Sequence, residues 1–253
     1  MGSPSRKGTT TEEDLPPPSP DVSVLVPAHN EERTVGDCIE RAMQTLEGRS
    51  LEYEIIVIDD GSTDSTHAYA SEVAHTNGGT IRVLQHSARL GKGAALVAAA
   101  RDARGKVVVV LDADLEYAPE EIVRLVEPIL QGRSEIVFGS RFAGQLDGMS
   151  FAHFLGNRIL TKATNPLYSA RLTDVMTGYK AFQRTSFDRL KINRSAFTFE
   201  VEIAAKALKL GLRVNEVPIT YRRRLAGQSK LRWTDGIRCL VHLLELKRVD
   251  ESS

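Results

Sequence analysis

Short apolar runs alternate with amphipathic stretches along most of the chain, and this alternation predicts its secondary structure. The apolar runs are rich in valine and isoleucine and predict buried strands over residues 22–26, 54–58, 81–85, 107–111 and 136–139. Between them, apolar residues recur at helical spacing and predict helices over residues 31–46, 65–75, 93–103 and 119–130. Such alternation predicts an α/β fold with a mostly parallel sheet, helices on both faces, and a ligand site at the carboxyl ends of the strands.

The strand predicted over residues 107–111 runs directly into three acidic residues at alternating positions, Asp112, Asp114 and Glu116. Carboxylates this close together repel one another unless a cation lies between them, and Mg²⁺ or Mn²⁺ prefers such oxygen ligands. An ordinary acidic strand end followed by a helix is the alternative, because the helix dipole favours Glu120 in a first turn. That alternative leaves Asp112 and Asp114 unexplained, and both interpretations can hold together.

Two other strand ends carry polar residues that suit a nucleotide. Asn30 and Glu31 follow the first strand, where capping of the next helix explains them as well as nucleotide binding does. Asp59 and Asp60 follow the second strand, and two adjacent acids exceed what a helix cap requires. We expect both side chains to face the crevice and to accept hydrogen bonds from the hydroxyl and imide groups of a nucleoside. Lys92 lies between two glycines, as in part of a phosphate loop, although a flexible linker explains that pattern equally well.

Composition and charge narrow the class of protein. The chain has 253 residues, 26% charged and 42% hydrophobic, and its formal net charge is zero, so no nucleic-acid partner is expected. Cys38 and Cys239 lack metal or redox spacing and fit buried thiols in a reducing, cytoplasmic compartment. Residues 1–20 are rich in serine, threonine and proline and predict a disordered tail without a secretory signal. No apolar run approaches the roughly 20 residues that span a bilayer, so we expect a soluble or peripheral protein.

The motifs at the strand ends resemble, in order and spacing, the nucleotide-sugar half of a family 2 glycosyltransferase. They are PAHNE at 27–31, DDGSTD at 59–64, GKG at 91–93 and DADLEY at 112–117. The resemblance covers residues 21–141 and implies the GT-A fold, a Rossmann-like arrangement in a single domain. It implies that the nucleotide sugar is bound by Pro27, Ala28, Asn30, Glu31, Asp59, Asp60, Lys92, Asp112 and Ala113. It also implies that Mg²⁺ or Mn²⁺ on the diphosphate is held by Asp112, Asp114 and Glu116.

The predicted acceptor half of the domain, residues 142–232, narrows the subfamily together with the three residues before it. Motifs similar to those of dolichyl-phosphate mannosyltransferases and polyprenyl-phosphate hexosyltransferases lie at 139–141 (GSR), 174–182 (DVMTGYKAF), 199–207 (FEVEIAAKA) and 217–231 (VPITYRRRLAGQSKL). The resemblance implies inverting, metal-dependent transfer of a hexose from a donor of the GDP-mannose or UDP-glucose type to a polyprenyl or dolichyl phosphate. The residues that it implies for catalysis are Asp114, Arg141, Asp174, Lys180, Arg224 and Lys230.

Within that set, Arg141 and Lys180 would contact the acceptor phosphate, and Arg224 and Lys230 would lie on a loop that closes over the donor phosphates. The basic segment around Arg224 suits phosphate oxygens, although a solvated surface also explains a run of charges. Asp174 suits a turn or a wall of the acceptor site. An ionised phosphate acceptor needs no side-chain base, whereas an alcohol acceptor would need one. The candidates for that base are Asp174, Glu200 and Glu202.

The acceptor and the route to a membrane stay open at this point. We expect a glycosyltransferase domain over residues 21–232, followed by an amphipathic helix and tail over residues 233–253. Residues 236–248 would pack on their own domain, lie in a lipid interface or dock on a membrane-anchored partner, and their apolar stripe comprises Ile237, Leu240, Val241 and Leu244. Residues 149–160 suit either an interface helix or plain core. A soluble acceptor and a noncatalytic nucleotide-sugar-binding subunit are the alternatives to a peripheral enzyme at the cytoplasmic membrane face.

Overall fold

In a computed structural model the chain forms a seven-stranded sheet with helices packed on both faces. The structure describes residues 19–192, 198–224 and 233–248. Most of the predicted N-terminal tail and Lys230, predicted for the donor loop, lie outside the described residues. The strands are β1 (Val22–Ala28), β2 (Tyr53–Asp59), β3 (Ile81–Gln85), β4 (Val107–Val110), β5 (Ile136–Leu146), β6 (Lys180–Gln183) and β7 (Val214–Tyr221).

The helices follow the predicted alternation closely, with two differences at their amino ends. They are α1 (Val35–Glu47), α2 (Thr66–Thr76), α3 (Lys92–Asp102), α4 (Ile122–Leu130), α5 (Phe151–Tyr168), α6 (Arg184–Arg189), α7 (Phe199–Lys209) and α8 (Trp233–Arg248). The first helix begins at Val35 rather than at residue 31, because the carbonyl of Glu31 accepts the N–H of Thr34 in a preceding turn. The helix predicted over residues 119–130 divides into a 3₁₀ turn, Pro119–Glu121, and α4.

Strand order in the sheet is β3-β2-β1-β4-β6-β5-β7. The strand β6 runs antiparallel to its neighbours β4 and β5, and all other adjacent pairs are parallel. The predicted α/β fold with a mostly parallel sheet is therefore confirmed. Because β6 runs against its neighbours, its first residue, Lys180, lies opposite Val110 at the end of β4. The start of β6 thus reaches the same edge of the sheet as Asp112, Asp114 and Glu116, which we call the acidic motif.

Two apolar layers enclose the sheet. Successive residues of β1 enter opposite layers, since Val24 packs with Ile39 of α1 on one face and Leu25 packs with Leu96 of α3 on the other. Strands enclosed on both faces need apolar side chains at nearly every position, which explains the continuous apolar run of β4. The rigid layers leave the loops at the carboxyl ends of the strands as the place for polar chemistry.

A glycine permits the close approach of β5 and β7. The two strands pair with a register shift between Ser140 and Gln145. Within this shift lies Gly144, where a Cβ atom would be 2.0 Å from the carbonyl oxygen of Ile219 and 2.7 Å from its nitrogen. Main-chain atoms of a paired strand cannot move aside as the end of a flexible side chain can, so only glycine fits here.

We expect Gly144→Ala to lower the free energy of unfolding by roughly 2 kcal/mol or more, as overpacking against a strand backbone does. The matched control is Gly156→Ala in α5, where a Cβ atom would meet nothing within 4 Å. Because alanine favours a helix over glycine, Gly156→Ala should stabilise the protein by about 0.5–1 kcal/mol. Urea unfolding of both variants measures the difference, and equal stabilities for the two would contradict this account of the β5–β7 contact.

Candidate active site

A pocket of about 190 Å³ lies at the carboxyl ends of β1 and β4. It is lined by Pro27, Ala28, His29, Glu31, Asp60, Arg89, Lys92, Ala95, Asp112, Ala113, Asp114 and Arg224. We call it the donor pocket, because most residues predicted for the nucleotide sugar line it. The predicted residues Asn30, Asp59 and Glu116 do not. Arg89 was missed, since it lies in the connection before α3, outside any motif.

Asp59 and Asn30 shape the loops beside the donor pocket. The carboxylate of Asp59 is fully buried and accepts the N–H of Ser62 at 3.0 Å and the side-chain amide of Gln85 at 2.9 Å. The side-chain oxygen of Asn30 accepts the N–H of Thr63 at 2.9 Å, so it joins two loops and does not cap α1. Both residues therefore have structural partners, and their predicted nucleotide contacts stay predictions.

Asp60 holds the loop that leads to α3. Its carboxylate accepts the N–H of Leu90 at 2.9 Å and that of Gly91 at 2.7 Å, and it lies 2.8 Å from His86 Nδ1. Burial by itself would raise the pKa of Asp60, but these hydrogen bonds outweigh it and lower the pKa below its usual value. Asp60 is therefore anionic and fixes the position at which α3 begins with Lys92.

Arg224 brings the end of the β7 segment into the donor pocket. Its guanidinium forms an ion pair with Glu31 and lies 3.5 Å from Asp114 Oδ2. The main-chain N–H of Glu31 donates to Thr66 Oγ1 at 2.7 Å, which fixes Glu31 against the start of α2. The structure thus joins Glu31, Asp114 and Arg224, which belong to three separate motifs of the sequence.

The three carboxylates of the acidic motif have different partners. Lys92 Nζ lies 2.7 Å from Asp112 Oδ1, and Asp114 Oδ1 accepts the N–H of Glu116 at 3.1 Å. Burial and the charge of Asp112 raise the pKa of Glu116, and the nearby hydroxyl of Tyr221 offsets part of that rise. In the described part of the chain, no three acidic, histidine or cysteine side chains converge as a preformed metal cage. The side chains of Asp112, Asp114 and Glu116 therefore do not converge on one point as the expected triad would.

The charges of the acidic motif nevertheless suit a divalent cation. Burial, together with the neighbouring charges of Asp112 and Glu116, raises the pKa of Asp114 to about 8. A further cation would stabilise the ionised form of Asp114 at neutral pH. Asp112 and Asp114 both line the donor pocket and offer the oxygen ligands that Mg²⁺ and Mn²⁺ take. The residues present fit a cation on these two aspartates, while the metal role of each, and of Glu116, stays a prediction.

Arg141 and Asp174 form a buried, two-pronged ion pair. Arg141 Nε lies 2.7 Å from Asp174 Oδ2, and Nη2 lies 2.8 Å from Oδ1. The N–H of Asp174 donates to Glu216 Oε1 at 2.9 Å, and the guanidinium lies 5.8 Å from the ring centre of Tyr221. Because both charges are buried, each depends on the other, and together they hold the segment after α5 to the middle of β5.

Lys180 is also buried and has a carboxylate partner. Its ammonium is ion-paired with Glu200, whose other oxygen lies 3.3 Å from Lys92 Nζ. No local pattern in the sequence indicates this role of Glu200, because the dipole of α7 already explains an acidic first turn. The other candidate base, Glu202, pairs with Lys206 at 2.6 Å and does not line the donor pocket.

An apolar groove of about 460 Å³ lies between α5 and α8. Its lining includes Met176, which follows Asp174 closely, so the groove meets the segment held by Arg141. The predicted stripe of α8 divides: Ile237 and Leu240 line the groove, whereas Val241 and Leu244 are exposed and do not line it. The exposed apolar side chains of the two helices are Phe151, Phe154, Leu155, Ile159, Ile237, Val241 and Leu244. None of the helices in the described ranges has the length and hydrophobicity to cross a membrane.

The chain is similar in sequence to a known family and to proteins of known name. A model of glycosyl transferase family 2 matches residues 23–191. The chain is 30% identical to a dolichol-phosphate mannosyltransferase of Pyrococcus furiosus over 90% of the chain and 64% of that protein. It is 29% identical to a polyprenol monophosphomannose synthase of Mycolicibacterium smegmatis, over 82% of the chain and 80% of that protein. The chain thus spans less than two thirds of the Pyrococcus protein's length.

A solved structure shares the fold. Glucosyl-3-phosphoglycerate synthase of Mycobacterium tuberculosis, in complex with Mn²⁺, uridine diphosphate and glucosyl-3-phosphoglycerate, superposes with a TM-score of 0.70. The similarity covers 90% of this chain and 80% of that one, at 24% identity. The fold, the match to the family model over most of the sheet, and the order of the strand-end motifs agree with one another, and the chain belongs to glycosyl transferase family 2.

Proposed function

We propose that the protein transfers a hexose from a nucleotide-diphosphate sugar to a polyprenyl phosphate, with inversion at the anomeric carbon and with a divalent cation in the donor pocket. The observation that carries this proposal is the donor pocket itself, in which Lys92 and Arg224 lie against the carboxylates of the acidic motif. The names of the Pyrococcus and Mycolicibacterium relatives support mannose as the sugar and a lipid phosphate as the acceptor.

The donor pocket can stabilise a leaving diphosphate. Cleavage of the glycosidic bond leaves negative charge on the nucleotide diphosphate, and fixed cations at that point lower the barrier. Lys92 and Arg224 are the cations in place, and Arg89 lines the same pocket. A divalent ion bound by Asp112 and Asp114 would add positive charge to the diphosphate. For a divalent ion to take the place of Arg224 beside Asp114, the Arg224 guanidinium must turn from Asp114 toward the phosphate oxygens.

A phosphate acceptor suits the surroundings of Arg141. An acceptor phosphate is ionised at neutral pH, so its oxygen can attack without a side-chain base. Asp174 occupies two donors of the Arg141 guanidinium and orients the planar group. We infer that Arg141 contacts the acceptor phosphate and that Asp174 positions it. Lys180 would act on the acceptor through the backbone that it holds.

The apolar faces of α5 and α8 support a lipid surface as the place of reaction. Their exposed apolar side chains flank the groove that leads to Met176, near the Arg141–Asp174 pair. The helix α5 carries Arg158 and Lys162 and no acidic residue, so its charge complements anionic lipid headgroups. We infer a peripheral position at the cytoplasmic membrane face, with the isoprenoid chain of the acceptor in the groove.

The substrate pair is tested by incubating the protein with Mn²⁺ or Mg²⁺ and, in turn, GDP-mannose, UDP-glucose and UDP-galactose. Each donor is offered alone, with a short polyprenyl phosphate, and with phosphoglyceric acid, which the Mycobacterium tuberculosis synthase binds. We expect nucleotide diphosphate release from one donor to depend on the lipid phosphate. Release that depends on phosphoglyceric acid alone would replace the lipid acceptor by a soluble one, and donor binding without release would favour a noncatalytic subunit.

We expect Asp114→Asn to lower the rate of transfer by at least about a hundredfold, because the pocket loses a carboxylate that would hold the cation, and the leaving diphosphate loses the positive charge of that cation. The matched control is Asp188→Asn on α6, an exposed carboxylate paired with Arg184. Nucleotide diphosphate release under single-turnover conditions measures both variants. A wild-type rate in Asp114→Asn would remove the acidic motif from the mechanism.

We expect Leu155→Ser/Val241→Ser to weaken binding to vesicles that contain anionic phospholipid by at least about tenfold, since two exposed apolar side chains would no longer insert. The matched control, Tyr69→Ser/Leu210→Ser, removes two side chains of similar exposure, 46% and 42%, away from the groove. Vesicle sedimentation measures binding at several salt concentrations. Equal binding by the two double variants would contradict a lipid-facing role for α5 and α8.

A further inference from the structure

One carboxylate joins two lysines that come from distant parts of the chain. Glu200, the second residue of α7, places Oε1 3.3 Å from Lys92 Nζ, at the start of α3. Its Oε2 forms an ion pair with Lys180, at the start of β6. Both oxygens of Glu200 are therefore engaged by ammonium groups, which makes Glu200 a poor candidate for a base that accepts a proton.

Lys180 uses its ammonium to hold the backbone that precedes it. Besides the ion pair with Glu200, the ammonium donates to the carbonyl oxygens of Thr177 and of Val175, the latter at 3.3 Å. Three acceptors satisfy its three N–H groups, and the side chain is 1% exposed. Lys180 thus fixes the segment of residues 173–179, which we call the acceptor loop, rather than reaching out to a substrate.

The acceptor loop also packs directly on residues of the donor pocket. The N–H of Gly178 donates to the hydroxyl oxygen of Tyr117 at 3.0 Å. A Cβ atom on Gly178 would lie 2.5 Å from Asp112 Oδ2 and 2.9 Å from Lys92 Nζ, so the loop backbone packs directly on that ion pair. A movement of Lys92 or of the acceptor loop therefore changes the surroundings of the other.

We propose that Glu200 is a positioning residue that couples the donor pocket to the acceptor loop, by holding Lys92 beside Asp112 and Lys180 beneath the acceptor loop. This inference rests on the proposed function only for its effect on the rate of transfer. Loss of the Glu200 charge leaves Lys92 with Asp112 as its remaining ion-pair partner and leaves Lys180 buried beside neutral carbonyl groups. The acceptor loop then loses its anchor, and Lys92 loses one of the two carboxylates that orient it.

The structural half of the proposal is tested without substrate, by hydrogen exchange in the full-length protein. In Glu200→Gln we expect the amides of Val175 and Gly178 to exchange at least about tenfold faster, while those of β1 and β2 keep wild-type rates. Glu202→Gln is the matched control, because Glu202 lies on the same helix, is more deeply buried than Glu200 and pairs with Lys206. Wild-type exchange in the acceptor loop of Glu200→Gln, or equal acceleration in Glu202→Gln, would overturn the proposal.

The kinetic half is tested with whichever donor and acceptor the wild type uses. We expect Glu200→Gln to lower kcat at least about tenfold and to change the KM for the donor by less than about threefold, because donor contacts remain while alignment is lost. Glu200→Asp keeps the charge but is one methylene shorter, and should recover part of kcat. A higher KM for the donor with a wild-type kcat would overturn the proposed coupling. A wild-type protein inactive with every donor would refute the proposed function, while hydrogen exchange would still decide the role of Glu200.

Discussion

Neutralisation of carboxylates at one edge of the sheet is the constraint on which this structure depends. Parallel strands bring Asp60, Asp112 and Asp114 to neighbouring positions at their carboxyl ends, where burial penalises an unpaired charge. Lys92 and Arg224 supply positive charge to two of them, and main-chain N–H groups supply hydrogen bonds to Asp60. The pKa of Asp114 is raised in spite of Arg224, so the donor pocket keeps room for the charge of a cation, and a bound diphosphate must share Lys92 and Arg224 with these carboxylates.

The acceptor side obeys the same constraint with buried pairs. Arg141 with Asp174, and Lys180 with Glu200, are pairs in which the removal of one member leaves a charge in a low-dielectric interior. Both pairs hold the acceptor loop, one from β5 and the other from α7. The antiparallel course of β6 is what brings Lys180 back to the acidic motif, so the topology of one short strand joins the two halves of the site.

The positions of the strands, and of the polar residues at their carboxyl ends, were predictable, because buried strands require continuous apolar runs and parallel strands present their ends at one edge. The sequence left alternatives open where only a neighbouring element could supply the information. Asn30 fitted a helix cap as well as a nucleotide contact, and in the structure its side chain bonds to Thr63 across the next loop and does not cap α1. The stripe of α8 fitted packing, a lipid interface or a partner, and its members divide in the structure, since Leu240 is partly buried and Val241 is exposed.

By itself, the sequence determined the α/β fold, the family and the motifs at the strand ends, since these depend on local periodicity and on residues adjacent in the chain. Only the tertiary structure decided the partners of each charge. Glu200 meets Lys92 and Lys180, and Arg224 meets Glu31, across separations along the chain that no local pattern records. The physical reason is that an ion pair depends on distance and burial in space, and both arise only when the sheet and its helices have assembled.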